Sequence, residues 1–180
     1  VYVLTCVPAW LCGRSWKSLL STYFQQTQTY GSVSMNAPSL YLLFSPYDTK
    51  PVIRAGVLLC AGVVLCAAYL ALKNPVRPSP RLVLVLAAAS AACTAWLLPG
   101  MHERYFYVAE VLAAVWAVVR PRSAPAAVLL CTSAVYTYAN YVWSEGRLPT
   151  QIFVFFVLAA ALWLLRDVWR EWRAAQNSET

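Results

Sequence analysis

Apolar residues along this chain come in long, nearly unbroken runs separated by short polar gaps. A membrane span needs about 20 apolar residues, or about 17 at minimum. Five runs approach that length: 51–72, 82–98, 105–119, 124–143 and 151–165. A shorter apolar stretch opens the chain and reads as the end of a further span that begins before Val1. The third and fifth runs are short. The third can take length from the "MHER" preceding it, and the fifth can continue into "RDVWREW". The pattern predicts an all-α, polytopic transmembrane helix bundle of about five full spans plus a truncated first one. It forms one membrane domain over 1–180, with the spans in 51–165.

The gaps give a topology. "KNPVRPSPR" carries Lys73, Arg77 and Arg81, "RPRS" carries Arg120 and Arg122, and the tail 166–180 carries Arg166, Arg170 and Arg173. These segments alternate so as to share one face, which the positive-inside rule makes cytoplasmic, C-terminus included. The other face then holds the loop 13–50, the "PGMHER" turn and "SEGRLPT". Within that loop, "SWKSLLSTYF" places Trp16, Leu19, Leu20, Tyr23 and Phe24 on one helical stripe, with Ser15 as N-cap. An amphipathic helix lying in the non-cytoplasmic membrane interface fits this pattern. So does a helix packed on neighbouring loops. "QTYGSVSMNAPSLYLLF" follows as a Gly- and Pro-punctuated loop.

Composition agrees with a lipid environment: 61% of the 180 residues are hydrophobic and 12% charged. Soluble domains average about 45–50% apolar and about 25% charged. Lys and Arg number 14 against 7 acidic residues, but their placement in short gaps marks topology and argues against nucleic acid as a partner. The six cysteines show no C-x-x-C spacing, and four lie in apolar runs, where Cys acts as a small hydrophobe. One histidine and no paired-carboxylate motif give no metal cluster and no cofactor signature.

The chemistry concentrates at "MHERYFY". Pro99 and Gly100 break the second full span, which leaves His102, Glu103 and Arg104 at the interface beside Tyr105, Phe106 and Tyr107. Glu110 follows inside the next run. On a helix Glu103, Tyr107 and Glu110 share a face. A carboxylate in a span costs roughly 2.5–3.5 kcal/mol at mid-bilayer, so Glu110 calls for a partner or a polar cavity. Arg suits phosphate through its fork of donors, and His can donate to a leaving phosphate oxygen. The plainer alternative is an interfacial turn in which Arg and His meet lipid head groups and Glu103 pairs with Arg104.

"MHERYFY", with the preceding "YFQQTQTYGSVSMNAPSLYLL", resembles bacterial multi-span glycosyltransferases of the GT-C fold, in particular the mannosyltransferases related to GPI mannosyltransferases. The elements that match are Gln26, Tyr30, Asn36, Ala37 and Pro38 in the loop and 101–105 in the turn, and the likeness covers roughly 8–120. It implies a polyprenyl-phosphate sugar donor, a glycan or lipid-linked acceptor, and transfer on the non-cytoplasmic face of the plasma membrane. It also implies a catalytic Asp in an earlier outer loop, which neither Asp48 nor Asp167 matches, so the chain is expected to be an inactive C-terminal fragment alone. On this reading His102 and Glu103 are catalytic, and Arg104, Tyr105, Tyr107, Glu110, Asn36, Tyr30 and Gln26 bind substrate. A transporter or flippase component for a lipid-linked or anionic substrate is the alternative.

Overall fold

A computed structural model describes residues 2–21, 33–44, 49–143 and 149–177. They fall into two compact units, 1–32 and 33–180. The first holds α1 (Tyr2–Leu11) and α2 (Trp16–Leu20), with the Trp10 and Trp16 rings 5.5 Å apart. Ser15 caps α2 as its sequence predicts, its hydroxyl accepting from the Ser18 amide at 3.3 Å. The helix is shorter than the apolar stripe, however, and its C-cap is Ser21. The Ser21 hydroxyl turns back onto the Ser18 carbonyl, and such side-chain competition for backbone groups is why serine-rich segments end helices. Leu19 is buried and Trp16 half-buried, while Leu20 is exposed. Tyr23 and Phe24 lie outside the described residues.

The second unit holds α3 (Thr49–Lys73), α4 (Pro80–Leu97), α5 (Tyr107–Val119), α6 (Ala124–Trp143) and α7 (Gln151–Asn177). Its helix boundaries have local causes. Ser79 accepts from the Leu82 amide at 3.1 Å with Pro80 in the first turn, the arrangement favoured at a helix start. At the other end of α4, Gly100 takes a positive φ of 73°, open to glycine and strained for most side chains. Among the described residues, three helices are long and apolar enough to cross a membrane: Lys50–Lys73, Pro80–Leu97 and Gln151–Asn177. By contrast α5 has 13 residues, about 20 Å at 1.5 Å per residue, against a hydrocarbon core about 30 Å thick. Residues 105 and 106, expected in this helix, instead belong to a 3₁₀ turn, Glu103–Phe106.

Helices adjacent in sequence pack on each other from α4 to α7, and α7 packs back on α4, closing a four-helix ring. Cross-links fix the directions. Trp96, near the end of α4, donates to the Val154 carbonyl near the start of α7 at 3.1 Å. Trp116, near the end of α5, donates to Asp167 late in α7 at 3.1 Å. So α4 and α7 run antiparallel, and α5 runs with α7. The core is rich in alanine: Ala88, Ala89, Ala92, Ala109, Ala113 and Ala160 are all fully buried or nearly so. Small residues let helix backbones approach closely where lipid supplies no hydrophobic drive for association. The outlier is α3, largely exposed, with α4 its main neighbour among the described helices. There Gly56 sits against the buried Tyr41 ring, where a Cβ would overlap it.

The fifth apolar run continues as a helix well past its expected end, and the segment from Arg166, expected as a tail, forms its last turns. Asp167 there is only 1% exposed. It accepts from Trp116 Nε1 and from the Ser123 hydroxyl, and lies 3.9 Å from Arg120 Nε and from Arg170 Nη1. Arg120 also donates to Glu171 at 2.8 Å. Arg166 and Arg173 lie over the rings of Trp163 and Trp169.

Candidate functional site

The loop after residue 32 and the turn before α5 meet at the end of the bundle opposite Asp167. Strand β1 (Ser34–Met35) pairs in parallel with β2 (Met101–His102), Ser34 facing Met101 and Met35 facing His102. The Gly100 amide donates to the Val33 carbonyl at 2.9 Å, and Asn36 bridges to His102. Asn36 is left-handed, with φ +56°, a conformation Asn tolerates better than most residues. Its amide donates to the Thr137 carbonyl of α6 at 2.8 Å. The Ser34 hydroxyl closes the loop onto the Ala37 carbonyl at 2.9 Å, and Ala37, Pro38 and Ser39 are buried. The Asn-Ala-Pro loop and the "MHERY" turn, far apart in sequence, therefore form one hydrogen-bonded unit.

That unit is recessed. Thr137 lies six residues before the end of α6 at Trp143, about 9 Å along a helix. The pairing of 33–36 with 100–102 satisfies part of its irregular backbone there.

Within the turn the side chains divide. His102 is partly buried, its Nδ1 3.9 Å from Glu103 Oε2 and its ring edge-on to Tyr105 at 5.9 Å. Glu103 is 9% exposed and turns into the bundle. It joins Pro38, Phe106, Ser133, Thr137 and Val157 around a crevice too tight to hold a water molecule. Arg104, Tyr105 and Tyr107 face outward and are exposed. Arg104 forms no ion pair among the described residues, so the expected alternative of a Glu103–Arg104 pair gives way to Glu103 with His102. Glu110 is half-buried, and its Oε1 is buried with no hydrogen-bond partner among the described residues.

The shared face expected for Glu103, Tyr107 and Glu110 does not form: Glu103 is buried and Tyr107 is 64% exposed. Residues 103–106 are a 3₁₀ turn, with three residues per turn instead of 3.6, so helical spacing does not carry across it. The structure joins Asn36 to His102 and Glu103 and leaves Arg104, Tyr105 and Tyr107 on the outer surface. Gln26 and Tyr30 lie outside the described residues. What the sequence reading missed is the contribution of α6. Ser133 and Thr137 line the crevice, and Tyr138 lies within electrostatic reach of Glu103, Glu110 and Arg104. The signal was the cluster of hydroxyls and phenols in "TSAVYTYANY", which an apolar-run reading absorbs into a span.

Among the described residues no three His, Cys, Asp or Glu side chains gather as metal ligands. The chain's cysteines are free thiols. No protein-family model, curated protein or solved structure matches the chain.

Proposed function

We propose that the chain is part of a membrane glycosyltransferase of GT-C type, acting on a polyprenyl-phosphate sugar donor at the non-cytoplasmic face of the plasma membrane. The sugar goes to a glycan or lipid-linked acceptor. The observation that carries this reading is the pairing of the Asn-Ala-Pro loop with the "MHERY" turn, which gathers polar side chains at a recessed end of an apolar bundle. Arg104, exposed and without an ion-pair partner among the described residues, is the phosphate contact. Its planar fork matches two phosphate oxygens at once. His102 donates to the departing phosphate oxygen, and Glu103, 3.9 Å away, orients the imidazole. Asn36 holds the loop in place, and Tyr105 and Tyr107 flank the phosphate. The base that takes the acceptor proton lies outside this set, as the resemblance implies.

The test is sugar transfer from a labelled polyprenyl-phosphate donor, in membranes bearing the full protein. Arg104→Lys keeps the charge and loses the fork. A hydrogen bond to a charged group contributes about 1.5–3 kcal/mol, so activity should fall roughly ten- to a hundredfold while membrane insertion is unchanged. Wild-type activity in a well-inserted Arg104→Lys variant would remove Arg104 from the site. Movement of the lipid across the bilayer with no covalent product would replace the enzyme with a flippase.

A further inference from the structure

The outward face of α7 changes character along its late turns. Leu162, Leu165, Arg166, Trp169 and Arg173 follow one another at helical spacing, and all are exposed. The buried row of the same helix runs through Ala161, Leu164 and Asp167. The acids of this stretch turn toward the bundle: Asp167 lies by Arg120 and Arg170, and Glu171 pairs with Arg120. Arg166 and Arg173 pair with no acid among the described residues. The outer face therefore carries two uncompensated cations, an exposed tryptophan and two leucines.

The two guanidinium groups are held in place. Arg166 lies 5.5 Å from the centroid of the Trp163 ring, and Arg173 lies 4.6 Å from that of Trp169, within the range of cation–π attraction. Each ring comes three or four residues earlier, so both side chains lean back toward the apolar part of the helix. Stacking occupies a face of the guanidinium and leaves its in-plane N–H donors free for an oxyanion. Seven residues, about 10 Å along a helix, separate the two arginines.

The turn between α5 and α6 fixes the depth. Arg120 reaches Glu171 at 2.8 Å and Ser123 reaches Asp167, so this connection lies beside 167–171. It is exposed at Pro121 and Arg122, and a lipid-exposed connection between helices sits outside the hydrocarbon. The cations are thus at head-group depth, and Leu162 and Leu165 lie on the acyl-chain side of them.

We propose that this face of α7 binds an anionic phospholipid, with the acidic head between Arg166 and Arg173 over Trp169 and an acyl chain along Leu162 and Leu165. Charge complementarity selects an acidic head. The leucines, continuous with the cationic row, select a lipid over an acidic protein or a free anion. The site is at the other end of the bundle from His102 and Arg104 and does not depend on sugar transfer.

The test is the melting temperature of the purified full protein in detergent, titrated with phosphatidylglycerol or with phosphatidylcholine of the same acyl chains. A ligand that binds only the folded state raises stability as its concentration exceeds its Kd. Phosphatidylglycerol should stabilise the wild type at concentrations where phosphatidylcholine, inorganic phosphate and poly-glutamate do not. The double variant Arg166→Gln, Arg173→Gln should need roughly thirtyfold more phosphatidylglycerol for the same shift, the effect of removing two basic residues from an anionic surface. Lys50→Gln with Arg54→Gln removes the same charge from the exposed start of α3 and should respond as the wild type does. Equal stabilisation by phosphatidylcholine, inorganic phosphate or poly-glutamate overturns the proposal. So does a wild-type response in the arginine double variant. An equal loss in the α3 variant also overturns it, because the effect would then be one of net charge alone.

Discussion

Asn36 does two jobs that can be separated by substitution. Its backbone is left-handed and its amide ties the loop to the Thr137 carbonyl. Alanine loses both features: the left-handed conformation costs it roughly 1–2 kcal/mol, and the lost hydrogen bond about 1 kcal/mol more. Glycine loses the bond but adopts the backbone freely. Asn36→Ala should therefore lower the unfolding free energy by about 2–3 kcal/mol and Asn36→Gly by about 1 kcal/mol, measured by denaturation of the purified protein in detergent. Equal losses would mean that the left-handed backbone is not what selects Asn here. Sequence reading found this residue as part of a motif and assigned it to substrate binding. Its partner was not legible, because a helical carbonyl such as that of Thr137 leaves no mark in the sequence.

The apolar runs located the helices of the bundle better than they located their ends. A hydropathy run stops where the lipid stops, whereas a helix stops where its capping and hydrogen bonds stop. That is why α7 continues to Asn177, carried by a buried acid and by Arg–Trp stacking that an apolar count ignores. It is also why the run from 105 begins as a 3₁₀ turn. Asp167 illustrates the difference. From sequence it is a charge in a polar tail; in the fold it joins α5, the following turn and α7 through Trp116, Arg120 and Ser123. Removing one member of a buried, paired network costs roughly 3–5 kcal/mol, because the remaining partners stay buried and unpaired. Asp167→Ala should therefore destabilise the bundle by about that amount. Asp167→Asn, which keeps an acceptor oxygen, should cost less. The comparison is one of melting curves. Asp167→Ala melting with the wild type would mean that the network does not hold these helices together.

The second unit is polarised along the bundle. One end carries the loop, the turn and the aromatic residues of the candidate site. The other gathers the starts and ends of helices bearing Lys73, Arg77, Arg81, Arg120, Arg122, Arg166, Arg170 and Arg173. With 27 residues, α7 is about 40 Å long and overshoots a core of about 30 Å, so its basic half emerges from the hydrocarbon at that end. Pairing of Arg120 and Arg170 with Asp167 and Glu171 does little to the topology signal, since Lys and Arg set orientation and acidic residues contribute little. The basic end should therefore face the cytoplasm. An alkaline phosphatase fused to the C-terminus, active only outside the cytoplasm, should stay silent, and a fluorescent protein fused there should be bright. The same phosphatase inserted in the 144–150 connection should be active. The reverse pattern would leave the four-helix packing as it is but carry Asn36, His102 and Arg104 to the cytoplasmic leaflet. Transfer at the non-cytoplasmic face would then be ruled out for this site.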